Sequence, residues 1–198
     1  LSMGIQPDIL VCRTEYALGN DLRRKLAQFC NVETGSVIEA RDADSIYDVP
    51  LLLLEEGLDI TVMYKLHLPD RKEPNLQSWK MFLQRLKNPQ KEIRIGLIGK
   101  YNELPDAYKS IYESFVHAGA ANECKVHVIP VHSEDLQENY KSIAKSLSGL
   151  HGILVAPGFG ERGLEGKLNA IRYAREHQVP FFGNWLGMQM AWVGFAGD

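Results

Sequence analysis

The run Val179-Pro-Phe-Phe-Gly-Asn-Trp-Leu-Gly-Met-Gln-Met190 bears most directly on chemistry. Val179 to Phe182 reads as a short buried strand, Gly183 permits a sharp turn, and Leu186 to Met190 open a helix. A strand that breaks into a helix between two glycines is the geometry of a nucleophile elbow, which pushes one side chain out beside the first amides of the helix. Those amides can stabilise an oxyanion. The apex residue is Trp185, and an indole is no nucleophile. The turn suits acyl transfer while its side chain does not. An ordinary strand-to-helix turn around a buried Trp185 accounts for the stretch about as well.

A second loop, Ala156-Pro-Gly-Phe-Gly-Glu-Arg-Gly163, follows another buried strand. Its glycines admit close approach to the backbone and leave N–H donors free. Pro157 has no N–H to give, so Gly158 is the better oxyanion donor, with the Leu186 N–H across the elbow as its partner. A tight structural loop is the competing reading. Just beyond, Arg162 and Glu165 are either an anion site or a solvated charge cluster. Lys100 and Lys109 flank a third loop, Gly99 to Pro105; either suits a nucleotide phosphate, and singly each reads as a surface lysine. Near the N-terminus, Arg13 closes a strand and Lys25 lies on the next helix, both placed for a phosphate at the strand end. Asp42 and Ala43 follow a second strand, where a base edge could meet backbone groups. No G-x-x-x-x-G-K-[ST] occurs, so the chain holds no P-loop of its own.

These residues need a sheet to position them. From Glu92 the pattern is regular. Strands are predicted at Ile93–Ile98, Lys125–Val131, Gly152–Ala156 and Val179–Phe182, and helices at Pro105–Ala118, Ser133–Leu147, Gly166–His177 and from Leu186. Gly119 suits a helix end. This alternation predicts an α/β fold with a parallel sheet, whose ligands sit at the carboxyl ends of its strands. Before it, strands are predicted at Asp8–Cys12 and Ser36–Ala40. A helix is predicted over about Asn20–Phe29, N-capped by Asn20, with Leu22, Leu26 and Phe29 inward. Short helices follow across Val49–Glu56 and Asp59–Leu66, parted by Gly57. Two strands are too little sheet for a stable domain, so this part reads as the end of something larger. A linker is predicted from Pro69 to Pro74, then a helix capped by Asn75 with Leu76, Trp79, Leu83 and Leu86 on one stripe.

Composition narrows the class. With 198 residues, 45% hydrophobic and 24% charged, the chain is of ordinary globular make-up. A net charge of −3 gives no field to recruit nucleic acid, and the longest apolar run is too short for a bilayer span. Cys12, Cys30 and Cys124 are widely spaced, which suggests a reducing compartment and thiols serving as small core residues. The six histidines form no i, i+4 pair and no ligand cluster with cysteine, so no structural metal is expected. The chain opens Leu-Ser-Met-Gly, as if inside a longer protein.

Taken together, Gly4-Ile-Gln-Pro-Asp8, Phe29-Cys-Asn-Val32, Asp44-Ser-Ile-Tyr47, Gly99-Lys-Tyr101, Glu103-Leu-Pro-Asp-Ala-Tyr-Lys109, His117-Ala-Gly119, Gly158-Phe-Gly160, Arg162-Gly163, Glu165-Gly-Lys167 and Leu186-Gly-Met-Gln189 strongly resemble the CTP synthases. The likeness runs over essentially the whole chain, and the Leu-Gly-Met-Gln block is shared with class I glutamine amidotransferases more widely. The resemblance implies the end of a P-loop-like synthetase domain over 1–68, a linker and helix over 69–91, and the first half of a flavodoxin-like glutaminase domain over 92–198. It implies an enzyme that activates UTP with Mg-ATP and aminates it to CTP with ammonia from glutamine, with GTP as activator. It also implies tetramers or filaments and a cytoplasmic setting. Carried over by position, Arg13 and Lys25 match residues near nucleotide phosphates, and Asp42 and Ala43 the adenine side. Phe159, Leu186 and Gln189 match the glutamine pocket, and Gly158 and Leu186 the oxyanion hole. Arg162, Gly163 and Glu165 match the lid linked to GTP, and Lys100 and Lys109 basic residues near the domain interface.

The departures are equally informative. Trp185 stands where the family has its cysteine nucleophile, and its bulk is expected to block the pocket. The usual Pro-Gly-Gly-Phe-Gly reads Ala156-Pro-Gly-Phe-Gly160, one loop donor fewer, and Tyr16 stands where arginine is common. The triad histidine and glutamate would lie downstream, and the P-loop and Mg ligands upstream. The chain is therefore expected to be inactive alone. Alternatives are a pseudo-glutaminase in a longer chain and a non-catalytic assembly module.

Overall fold

Alternation of aliphatic residues along each strand divides the larger unit into two packed layers. The computed structural model describes residues 2–69, 73–104, 106–137 and 140–196. The chain falls into two units that divide between Ser78 and Trp79. The predicted Pro105 helix start lies outside the described residues, as do positions 70–72 of the linker.

In the first unit, β1 (Leu10–Thr14) pairs in parallel with β2 (Val37–Arg41), Arg13 opposite Ala40 and Thr14 opposite Arg41. Between them runs α1 (Asn20–Cys30), and α2 (Val49–Glu55) and α3 (Leu58–Lys65) follow. Gly57 takes φ 72° between these two helices, the left-handed turn glycine adopts without strain. Two expectations for α1 fail. Gly19, not Asn20, occupies the N-cap position and no side chain caps the helix. The inward face is also rotated: Ala27 is buried, Leu22 is exposed and Phe29 is 83% exposed. The cause is Arg23, which turns inward to two carboxylates. It donates through Nη1 to Glu56 at 2.8 Å and through Nη2 to Glu56 at 3.1 Å and Glu39 at 3.3 Å. Glu39 also accepts from the Leu18 N–H at 2.7 Å and from Arg41 Nε at 2.8 Å. A buried carboxylate persists only with such partners, which here tie β2 to α1, to α2 and to the loop before α1.

The division falls within α4 (Gln77–Lys87), which starts where Asn75 Oδ1 accepts the Gln77 N–H at 3.1 Å, as its position predicted. Leu83 is its buried residue. The sheet order is β4-β3-β5-β6, all parallel: β3 (Lys91–Gly99), β4 (Cys124–His132), β5 (Gly152–Val155) and β6 (Phe181–Gly183). Period-two alternation splits the core. Ile98, Ile153 and Val155 pack with residues of α6 (Tyr140–Leu147) and α7 (Leu164–Glu176) on one face. Leu97, Leu154 and Ala156 pack with Tyr108 and Ile111 of the α5 (Lys109–Ala121) side on the other. Burial of Leu97, Ile98, Ile153 and Val155 contributes about 2 kcal/mol each.

Other boundaries differ from expectation. The helix predicted over 133–147 is a 3-10 turn, Ser133–Leu136, followed by α6. Gly119 does not end α5; it lies inside the helix, where its lack of a side chain admits the Cys124 carbonyl oxygen, which a Cβ would meet at 2.6 Å. Cys12, Cys30 and Cys124 are half-buried free thiols rather than core residues.

Candidate functional site

The strand order places a topological switch at the middle of this sheet. The chain leaves β3 for β4 on one side and returns to β5 on the other, so the loops after β3 and β5 diverge around a crevice at their carboxyl ends. The β3 loop is fixed from below. The Tyr108 hydroxyl, buried under it, accepts the N–H groups of Lys100 at 3.2 Å and Tyr101 at 3.3 Å. Gly99 has no room for a side chain, since a Cβ would lie 2.5 Å from that hydroxyl. Burial raises the Tyr108 hydroxyl above the ordinary tyrosine range.

Next to β5, the turn out of β6 is a tight elbow. The Asn184 N–H donates to the Val155 carbonyl at 3.1 Å and the Gly187 N–H to the Asn184 carbonyl at 2.9 Å. Gly183 and Gly187 let the two arms touch. A Cβ on Gly183 would sit 2.6 Å from the Gly187 carbonyl carbon, and one on Gly187 would sit 2.2 Å from the Val155 oxygen. Trp185 at the apex takes φ 51°, a left-handed conformation that a bulky residue adopts only where its surroundings impose it. Its indole is 74% exposed. The ring therefore does not fill a core, as an ordinary turn around a buried Trp185 would require. α8 (Leu186–Ala196) begins at the next residue, and the Leu186 N–H is one of the first-turn donors that a helix leaves unpaired.

The Gly158 loop lies against this elbow. A Cβ on Gly158 would be 3.9 Å from Leu186 Cδ2, 3.0 Å from Lys100 Cε and 3.3 Å from Lys167 Nζ. Gly158 and Leu186 are thus neighbours, and Phe159, 85% exposed, projects from the loop. Gln189, on α8, is exposed. Lys100 is not the surface lysine its sequence suggested. It is 6% exposed, and its ammonium donates to the carbonyl of Phe159 and, at 3.3 and 3.4 Å, to those of Gly160 and Arg162. Lys109 opens α5 and is exposed. Arg162 pairs with Glu134 at 2.9 Å and donates to the Lys100 carbonyl at 3.4 Å. Beside them is a cavity of about 460 Å³ whose lining includes Lys100, Tyr101, His132, Glu134 and Arg162. Glu165 is exposed on α7. Gly163 (φ 76°) and Gly166 serve packing. Cβ atoms there would fall 2.2 Å from Ser133 Oγ and 1.6 Å from the Ser133 carbonyl oxygen, so the 3-10 turn rests directly on α7.

Lys167 was missed in the sequence. It is fully buried, donates to the Ala156 carbonyl at 2.8 Å, and has its pKa lowered to about 8 by burial and, second, by the charge of Lys100. Its one signal was an i, i+3/i+4 placement with Ala170 and Ile171 on the apolar stripe of α7, which a lysine reads as interrupting.

In the first unit, Arg13 and Asp42 meet at the carboxyl ends of β1 and β2. Arg13 Nε contacts Asp42 Oδ1 at 3.0 Å, and the Asp42 N–H donates to the Thr14 carbonyl at 2.9 Å. With Ala43 and Ser45 they line a cavity of about 520 Å³. Lys25 lies exposed on α1 and is not part of that lining.

Residues 1–68 match the family model for the CTP synthase N-terminus, and residues 103–198 that for class I glutamine amidotransferase. A CTP synthase of Flavobacterium psychrophilum is 58% identical over 196 residues, 99% of this chain and 36% of the relative. That of Cytophaga hutchinsonii is 59% identical over 193 residues, 98% of this chain and 35% of the relative. The chain belongs to the CTP synthase family. It spans about a third of the length of these relatives. The glutaminase domain of a Trypanosoma brucei CTPS with bound acivicin superposes with a TM-score of 0.51 at 37% identity, over 54% of this chain and 41% of that one. The parallel sheet of the second unit is thus that of a class I amidotransferase, with α/β architecture in both units. Among the described residues no helix is long and apolar enough to cross a membrane.

Proposed function

We propose that residues 92–198 form the amide-binding half of a glutaminase that feeds ammonia to CTP synthesis, and that Trp185 leaves this chain unable to hydrolyse glutamine. In such chemistry a thiolate at the elbow apex attacks the glutamine side-chain carbonyl. A sulfur–carbon bond forms and the carbonyl electron pair moves to oxygen; as that oxyanion collapses the C–N bond breaks, the nitrogen takes up the proton the thiol gave up and leaves as ammonia, and a thioester remains. The amides of Gly158 and Leu186 would receive the oxyanion, with Phe159 and Gln189 beside the substrate. The indole nitrogen lone pair belongs to the aromatic ring and cannot take the thiolate's part. The supporting observation is Trp185 at φ 51° on the apex, framed by Gly183 and Gly187. Purified chain incubated with glutamine should release no ammonia above a protein-free control; release above it refutes the reading.

The rest of the family's chemistry completes the proposal. Arg13, Lys25, Asp42 and Ala43 would contact ATP, whose role is to activate the oxygen of UTP that ammonia replaces to give CTP. Arg13 must leave Asp42 to reach a phosphate. Among the described residues no three His, Cys, Asp or Glu side chains converge on a point that could hold a metal ion. Arg162, Gly163 and Glu165 would form the GTP-linked lid. The whole enzyme would work in the cytoplasm as a tetramer or filament. A longer chain carrying Trp185 would be a pseudo-glutaminase, aminating UTP with ammonium salts but not with glutamine.

A further inference from the structure

Gly163 and Gly166 carry no side chains, and the 3-10 turn Ser133–Leu136 settles against the start of α7 in the room they leave. The stem of Glu134 comes with it: a Cβ on Gly163 would lie 3.8 Å from Glu134 Cγ. The residue before Gly163 is Arg162, and its Nη1 meets the Glu134 carboxylate at 2.9 Å. Its Nη2 donates to the Lys100 carbonyl at 3.4 Å. The Lys100 ammonium in turn donates to the Arg162 carbonyl at 3.4 Å and to those of Phe159 and Gly160. One guanidinium thus ties together the loops that leave β3, β4 and β5, and it lies on the lining of the cavity of about 460 Å³.

The charged groups on that lining are Lys100 and Arg162 against Glu103, Glu134 and Asp135. Lys100 is buried and directs its ammonium to carbonyls. Arg162 is the cation left to face an anion in the cavity, and a guanidinium fork suits phosphate oxygens. Glu134 opposes such a ligand twice, since it occupies the fork and adds negative charge to the wall. The Arg162 and Glu134 side chains are 59% and 42% exposed, so their pair is a weak one that a more highly charged anion can replace. We propose that Glu134 is a latch on Arg162. Its carboxylate holds the place of a phosphate and keeps the Arg162 loop on the 3-10 turn until a triphosphate group displaces it. This rests on the reading of Arg162, Gly163 and Glu165 as a lid for a nucleotide triphosphate. Glu134 then sets the concentration at which the lid responds.

The test measures how freely the guanidinium of Arg162 reacts. Phenylglyoxal condenses with arginine side chains, and mass spectrometry of the full chain gives the rate at Arg162 relative to Arg172, which lies farther along α7 and pairs with Glu176. Glu134→Gln keeps the size of an exposed side chain and removes its charge. It should raise the ratio about threefold, the scale of one exposed ion pair. Asp135→Asn removes a carboxylate from the same lining that makes no ion pair with Arg162, and should leave the ratio unchanged. Inorganic triphosphate, added at constant ionic strength, should slow the reaction at Arg162, with a half-effect at a severalfold lower concentration in Glu134→Gln than in the parent. An unchanged ratio in Glu134→Gln, or an equal rise in Asp135→Asn, overturns the latch. Equal half-effect concentrations in the two proteins overturn the competition between Glu134 and phosphate. A raised ratio with no protection by triphosphate in either protein overturns the lid reading of Arg162, while the hold of Glu134 on it stands.

Discussion

Lys167→Met separates the burial of a charge from the burial of a side chain, and its effect depends on pH in a calculable way. Lys167 is fully buried with a pKa lowered from 10.5 to about 8. Below pH 8 both folded and unfolded chains carry its proton, and the full unfavourable contribution is present. Between pH 8 and 10.5 the unfolded chain binds more proton than the folded one, so native stability at this site rises with pH. The span corresponds to roughly 3 kcal/mol at 1.36 kcal/mol per unit. The methionine variant lacks this dependence, while the titrating groups that do not interact with Lys167 are common to both proteins and cancel in the difference. The stability of Lys167→Met minus that of the parent should therefore fall by about 3 kcal/mol from pH 7 to pH 10.5. Urea titrations followed by far-UV circular dichroism at half-unit pH steps give this difference directly. Parallel curves for the two proteins would refute the reasoning, because they would mean the ammonium keeps its ordinary solvation.

Other consequences follow from the same geometry. Glu39 is held below the usual carboxylate range by the Leu18 N–H and Arg41, and Glu56 by its bonds to Arg23, so both stabilise the first unit above pH about 4.5. That stability should be lost as pH falls through their lowered values, and Glu56→Gln should cost about 2 kcal/mol at pH 7, read by urea titration. Gly166→Ala drives a methyl into the Ser133 carbonyl and should cost about 3 kcal/mol or more, with a fall in melting temperature. At Trp185 the positive φ reverses the usual ranking: Trp185→Gly should be more stable than Trp185→Ala by about 1 kcal/mol. An alanine variant of equal or greater stability would deny the elbow its strained apex.

Much of the second unit was legible because its signals are local. Strands of consecutive aliphatic residues at regular spacing specify a parallel sheet, and the glycine-framed bend after Phe182 specifies an elbow whatever its apex carries. Misreadings arose where one side chain's partner was remote in sequence. Arg23 looks like a surface residue until Glu39 and Glu56 are seen beside it, and turning it inward moves Leu22 and Phe29 out to solvent. Lys100 and Lys167 look solvated because lysine usually is, and nothing local shows that carbonyls 59 and 11 residues away await them. The 3-10 turn at Ser133 escaped notice for a similar reason: what fixes it is the absence of side chains at Gly163 and Gly166, thirty residues on.

The central claim is that position 185 is the seat of a nucleophile at a helix start, now held by an inert ring. The most direct measurement is the ionisation of the thiol in Trp185→Cys, from iodoacetamide rates against pH at that position alone. The N-terminus of α8 should lower the thiol pKa about one unit below the ordinary 8.5. A value at or above 8.5 would contradict the account, since it would put the side chain away from the helix amides on which the elbow depends.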